Sequence, residues 1–226
     1  MVTTEPINLV HKVVNPRAEG DARAPALVLI HGRGTDENDL MSLAPRFDPR
    51  LFLVSVRAPY TFPYGGYTWY NSREAGAPDP STFQKSHARL RKFIELLPRL
   101  YAVDRRQIYV MGFSMGAVMA YGLGLTIHER LAGVIAHSGY VPETGGMNLR
   151  WEEISGNPFF VAHGVNDQVI PVNFGRRAQE LLQKAQVNLT YREYPFGHEI
   201  NEQSFNDFSG WLTARLNDRA ASKSEP

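Results

Sequence analysis

Short apolar runs alternate along the chain with longer stretches in which apolar positions recur every three or four residues. The short runs are 7–14, 26–30, 51–56, 107–111, 131–137, 159–163 and 189–194. Most are continuously apolar, the pattern of strands buried on both faces of a parallel sheet. Between them, 36–47, 81–101, 114–127, 173–186 and 201–216 read as helices. In 81–101 the residues Phe83, His87, Leu90, Ile94, Leu97 and Tyr101 form one helical face, with Pro98 placed to end or kink it. Thr35, Asp36 and Asn38 offer capping chemistry at the start of 36–47. Strand and helix in strict turn predict an α/β fold, a mostly parallel central sheet of about seven strands flanked by helices.

Two segments break the rhythm. Residues 217–226 read as a flexible tail. Residues 57–80 form a long connection rich in aromatics, with Tyr60, Phe62, Tyr64, Tyr67, Trp69 and Tyr70 close together. Long ordered loops in compact domains usually serve function. No repeat or linker divides the 226 residues, so one domain over 1–226 is expected.

Composition narrows the chemistry. The chain has 24 basic and 23 acidic residues, a net charge of +1, and so no global field to hold nucleic acid. No run reaches the 18 or so apolar residues of a membrane span. No basic segment followed by an apolar core opens the chain, so a cytoplasmic location is expected. Without cysteine there is no disulfide scaffold, no thiolate metal site and no Cys nucleophile.

A serine remains. Strand 107–111 runs into Gly112-Phe113-Ser114-Met115-Gly116 and then into a helix. This is G-x-S-x-G in its required context of strand, sharp turn and helix. A tight turn with a capping serine is the blander reading of the same five residues. A serine nucleophile needs a base, and the base needs an orienting acid. Of seven histidines only His198 follows Asp167, and Asp167 is the one aspartate between Ser114 and His198. Both lie just past predicted strands, where the sites of open α/β sheets form. Asp167 could equally be a turn residue and His198 a helix cap, but order and placement agree with Ser114. The backbone N–H groups of Met115 and Arg33 are the expected oxyanion donors, the latter in the turn His31-Gly32-Arg33-Gly34. Trp69 and Tyr70 are the expected pocket residues. Asp36, Glu37 and Asp39 read as helix-dipole partners rather than metal ligands. No metal or other cofactor is expected, since Asp167 and His198 fit the proton relay better than a metal site with His163.

These residues carry a family likeness. Leu29-Ile30-His31-Gly32-Arg33-Gly34, Gly112-Phe113-Ser114-Met115-Gly116-Ala117, His163-Gly164 with Asp167, and Gly197-His198 stand in one order over residues 7–216. The chain resembles the bacterial carboxylesterase and phospholipase group of α/β-hydrolases, which includes acyl-protein thioesterases. Trp69-Tyr70 looks like that family's aromatic pair. The resemblance implies an α/β-hydrolase fold without a large cap domain, a Ser114–His198–Asp167 triad, and no cofactor. A homodimer is among the assemblies it allows. The chain departs from the family at Arg33, a position often apolar, and at Met115, often Gln. Both still supply backbone donors, but Arg33 makes the rim more cationic. The expected activity is that of a serine carboxylesterase on small-molecule esters with short to medium acyl groups. An acyl thioesterase or lysophospholipase is the alternative enzyme, and a non-catalytic ligand-binding protein of the same fold is the alternative of another class.

Overall fold

The structure, a computed structural model, describes residues 9–18 and 23–224. Its strands are β1 (His11–Val14), β2 (Ala24–Ile30), β3 (Phe52–Val56), β4 (Tyr60–Thr61), β5 (Tyr67–Thr68), β6 (Val103–Phe113), β7 (Gly133–His137), β8 (Pro158–Gly164) and β9 (Asn188–Tyr194). Its α-helices are α1 (Pro80–Leu100), α2 (Met115–Gly124), α3 (Asn173–Lys184) and α4 (Glu202–Ser224). Seven strands form one sheet in the order β1-β3-β2-β6-β7-β8-β9. Only β1 runs antiparallel, against β3. β4 and β5 form a separate antiparallel hairpin within the aromatic connection.

Because side chains alternate across a strand, the sheet feeds two cores. Val28 and Ile30 of β2 pack with Phe83, Leu90 and Ile94 of α1, Val118 of α2 and Leu182 of α3. Leu27 and Leu29 of the same strand face Phe205, Phe208 and Leu212 of α4. Every residue of α2 is buried. It is therefore apolar all round, as a helix enclosed by the sheet and its neighbours must be. α3 buries only Gly175, Ala178 and Leu182, a narrow stripe at spacings of three and four. Among the described residues no helix is long and apolar enough to cross a membrane.

Several expected elements differ in detail. The helix expected at 36–47 is a 3-10 segment, Leu40–Arg46. Pro45 lies inside it, and a proline in an α-helix would lose a hydrogen bond and clash with the preceding turn. Pro98 is tolerated in α1 because it sits in the last turn, with the helix ending at Leu100. The first strand, expected over 7–14, starts at His11; Ile7 and Asn8 lie outside the described residues. β6 starts four residues earlier than expected, at Val103. Its register with β2 breaks between Ala24 and Ala26, around Pro25, which has no N–H to give to a ladder. The tail expected from residue 217 is helical to Ser224. Arg50 donates to the Asn217 side chain at 2.8 Å and Arg219 to the Arg106 carbonyl at 2.8 Å, which hold those turns to the body. Residues 225 and 226 lie outside the described residues.

Candidate active site

The site sits at the carboxyl ends of β2, β6, β8 and β9. Ser114 lies between β6 and α2 with φ 56° and ψ −121°, a backbone conformation that L-residues rarely adopt. The flanking glycines explain how the turn closes. A Cβ at Gly112 would fall 2.1 Å from the Gly116 carbonyl oxygen, and a Cβ at Gly116 would fall 1.9 Å from that of Ile30. Strand and helix thus approach so closely that only hydrogen fits between them. The Ser114 N–H donates to the His137 carbonyl at 2.9 Å, tying the turn to β7.

Two loops deliver the partners. After β8, Val165 N–H donates to the Tyr194 carbonyl and Asn166 N–H to the Phe196 carbonyl, at 2.8 and 3.0 Å. These bonds clamp the β8 loop against the β9 loop. Gly164 permits the contact, since a Cβ there would lie 2.2 Å from the Gly197 carbonyl oxygen. Asp167 Oδ1 accepts from the Val169 and Ile170 backbone N–H groups at 2.9 and 2.8 Å. Its Oδ2 stands 2.7 Å from His198 Nδ1, and His198 Nε2 stands 2.8 Å from Ser114 Oγ. A carboxylate only accepts, so Nδ1 carries the proton and Nε2 is free to accept from the serine hydroxyl. The Asp167 side chain is fully buried and that of His198 is 16% exposed, so the relay opens to solvent at the imidazole edge. Phe113 packs on the His198 ring with centroids 4.9 Å apart.

Other histidines are scaffolding. His163 Nε2 donates to the Ile170 carbonyl at 2.8 Å and lies 3.6 Å from Asp167 Oδ2, so it props the loop that holds the carboxylate. Burial pushes its pKa down, opposed by its bond to Ile170 and the charge of Asp167. His137 is fully buried and burial lowers its pKa to about 3, helped by the nearby His163 and His198. His31 accepts from the Ala58 N–H at 3.0 Å and bonds the Gly32 carbonyl through Nδ1, which fixes a neutral tautomer. It thereby holds the loop after β2 to the loop after β3.

Among the described residues, the backbone N–H groups of Arg33 and Met115 find no acceptor in the protein. The turn that presents Arg33 is backed by the β4–β5 hairpin. Gly34 N–H donates to the Tyr67 carbonyl and Tyr67 N–H to that of Thr35, at 2.8 and 2.9 Å.

A cleft of about 240 Å³ opens over Ser114 and Met115, with Arg33, Tyr70, Tyr140 and Ile170 among its walls. Tyr70 lines the cleft, but Trp69 does not. Trp69 is fully buried and donates through its indole N–H to the His31 carbonyl at 2.9 Å, beneath the loop rather than in the pocket. Tyr140 was not singled out in the sequence. It follows β7, and its hydroxyl lies 3.0 Å from that of Tyr70. Its position just past a strand end is the signal that could have found it. A wider groove of about 1310 Å³ lies at the other end of β6, around residues 104–108. It is lined by six arginines, whereas the smaller cleft opens over Ser114, aligned with His198 and Asp167, and is the candidate site.

The phospholipase/carboxylesterase family matches residues 11–216. The chain belongs to that family. Acyl-protein thioesterase 1 of Candida albicans is 26% identical over 212 residues, which cover 84% of this chain and 91% of that protein. The solved carboxylesterase of Bacillus cereus is similar with a TM-score of 0.81 and 25% identity, over 92% of this chain and 95% of that one. Esterase PE8 has the same TM-score and identity over 91% and 98%. The family member described here is thus an α/β-hydrolase of carboxylesterase and acyl thioesterase type.

Proposed function

We propose that the protein is a serine carboxylesterase for esters with short to medium acyl groups. Ser114 Oγ attacks the ester carbonyl as His198 Nε2 takes its proton. Asp167 orients His198 and stabilises the imidazolium. The backbone N–H groups of Met115 and Arg33 hold the oxyanion, aided by the N-terminus of α2. His198 then gives the proton to the departing alcohol, leaving Ser114 acylated. Water, deprotonated by the same imidazole, attacks the acyl-enzyme and frees the acid and the serine. The cycle uses only the chain's own residues and water.

The observation that carries this reading is the unbroken line of contacts from Asp167 to His198 to Ser114, at 2.7 and 2.8 Å. The compact cleft favours short acyl chains over long ones. Changing Ser114 to Ala should lower kcat on p-nitrophenyl butyrate by about 10⁴ or more. Undiminished turnover by that variant would end the proposal.

A thioesterase activity is the second reading, favoured by the likeness to the Candida albicans acyl-protein thioesterase. Matched oxygen esters and thioesters over a series of chain lengths separate the two. A higher kcat/KM for the thioester at every length would replace the first reading with the second.

A further inference from the structure

The walls of the cleft are chemically uneven. Met115, Val169 and Ile170 give an apolar floor and side, while Arg33, Arg73 and the Tyr70–Tyr140 hydroxyl pair give a polar one. Both arginines are exposed. Neither guanidinium has a carboxylate partner among the described residues. The three arginines between them in the chain do: Arg46 meets Glu202, Arg50 meets Asp48 and Arg57 meets Glu37. Arg33 is held in place by stacking on Phe62, with 5.3 Å between the guanidinium carbon and the ring centroid. Its charge is felt inside the cleft: burial pushes the Tyr70 and Tyr140 hydroxyls up in pKa, and Arg33 acts on both in the opposite sense. One carboxylate, Glu74, also faces the cleft, so two cations stand against one anion. Elsewhere the chain is close to charge balance, at +1 overall. Two unpaired guanidiniums beside a reactive serine are suited to a planar anion such as a carboxylate.

Resting on the esterase reading above, we propose that Arg33 and Arg73 select esters that carry a second, ionised carboxylate a few bonds from the scissile carbonyl. The carboxylate sits against the guanidiniums and the Tyr140 hydroxyl while the ester carbonyl sits over Ser114. The compact cleft limits the spacer between the two groups to a few carbons. The bond that breaks is still the ester bond, and the second carboxylate leaves unchanged.

Two shape-matched substrate pairs test this. Monoethyl succinate and ethyl 4-methylpentanoate place the charge, or its neutral isostere, on the acyl side. 3-Acetoxypropanoate and 3-methylbutyl acetate place it on the alcohol side. Hydrolysis is followed by pH-stat. The anionic member of at least one pair should have the higher kcat/KM, by roughly five- to tenfold for exposed guanidiniums. The ratio should fall toward one in Arg73→Gln and in Arg33→Gln, rise in Glu74→Gln, and shrink in 0.5 M salt by screening. The difference should appear mainly in KM, because the charge contact forms in the ground state as well. Ratios near one in both pairs, with the neutral esters still hydrolysed through Ser114, would overturn this inference and leave the esterase reading intact. A preference that survives both arginine substitutions would also overturn it. Hydrolysis of none of the four esters, or hydrolysis unaffected by Ser114→Ala, would overturn the esterase reading and this inference with it.

Discussion

Ser114 is positioned by backbone crowding, whereas Asp167 and His198 are positioned by hydrogen bonds between two loops. The turn at Ser114 has no slack. β6, α2 and β2 meet with only glycine hydrogens between them, at Gly112 and Gly116. The loops after β8 and β9 are joined instead by two backbone bonds, by the Asp167 cradle and by His163 beneath it. A contact that is sterically locked fails all at once, together with the core it belongs to. A contact made of hydrogen bonds can loosen while the fold survives. The two regions should therefore respond differently to substitution.

The largest effect is expected at Gly116. Gly116→Val would drive side-chain carbon into the Ile30 and His31 carbonyls. It should remove several kcal/mol, about 4 or more, a large share of the stability of an ordinary domain, and move the urea midpoint down by roughly 2 M. A folded Gly116→Val protein with a near-native midpoint would contradict the crowding argument. On the loop side, Asp167→Asn should leave the melting temperature within a few degrees. It should lower kcat by about 10³ to 10⁴, because a neutral amide neither fixes the tautomer nor stabilises the imidazolium. Gly164→Ala should fall between these. Its methyl meets the Gly197 and Phe196 carbonyls, so the loops must part. A kcat loss of about 10² with a stability loss of roughly 1–2 kcal/mol is expected, since displacing one partner by about 1 Å is costly to catalysis. Equal fractional losses of activity and folded protein would erase the distinction between the two regions.

The smallest effect concerns pH. His87 packs under α2 beside Gly122, and burial lowers its pKa to about 4. The folded state therefore holds His87 neutral, while the unfolded chain protonates it near 6.5. Its contribution is fully present above about pH 6.5 and is lost as pH falls toward 4. Urea unfolding at pH 7 and 5.5 should show a loss of about 1 kcal/mol from this group, removed in His87→Leu. An unchanged pH slope in that variant would place the acid sensitivity on the other buried histidines, His31, His137 and His163.

The arginine–carboxylate contacts show what sequence reading could and could not see. Asp36, Glu37 and Asp39 looked alike as acids before a helix. In the fold Glu37 is buried and gripped by Arg57 at 2.5 and 2.6 Å, while Asp36 caps its own turn by accepting from Asn38. Trp69 and Tyr70 looked alike as pocket aromatics. One is locked under the loop by His31 and the other meets Tyr140 at the cleft. Neighbours in the chain thus took opposite roles, because each was fixed by a different distant partner: the His31 carbonyl for Trp69, Tyr140 for Tyr70 and Arg57 for Glu37.

The amino-acid order alone determined the seven strands of the central sheet, the buried central helix and the turn at Ser114. Each of these is set by residues adjacent in the chain, through apolar runs, helical periodicity and glycines two positions on either side of the serine. It also determined which aspartate and which histidine could serve, since only one of each follows in the required order. The tertiary structure decided what depends on distant partners. It set the 31- and 84-residue separations closed at His198, the tyrosine pair 70 residues apart, the 3-10 segment around Pro45 and the helical continuation to Ser224. Local pattern carries no information about which loop meets which. That choice is made when the sheet brings its strand ends to one edge and the cores on both faces hold them there.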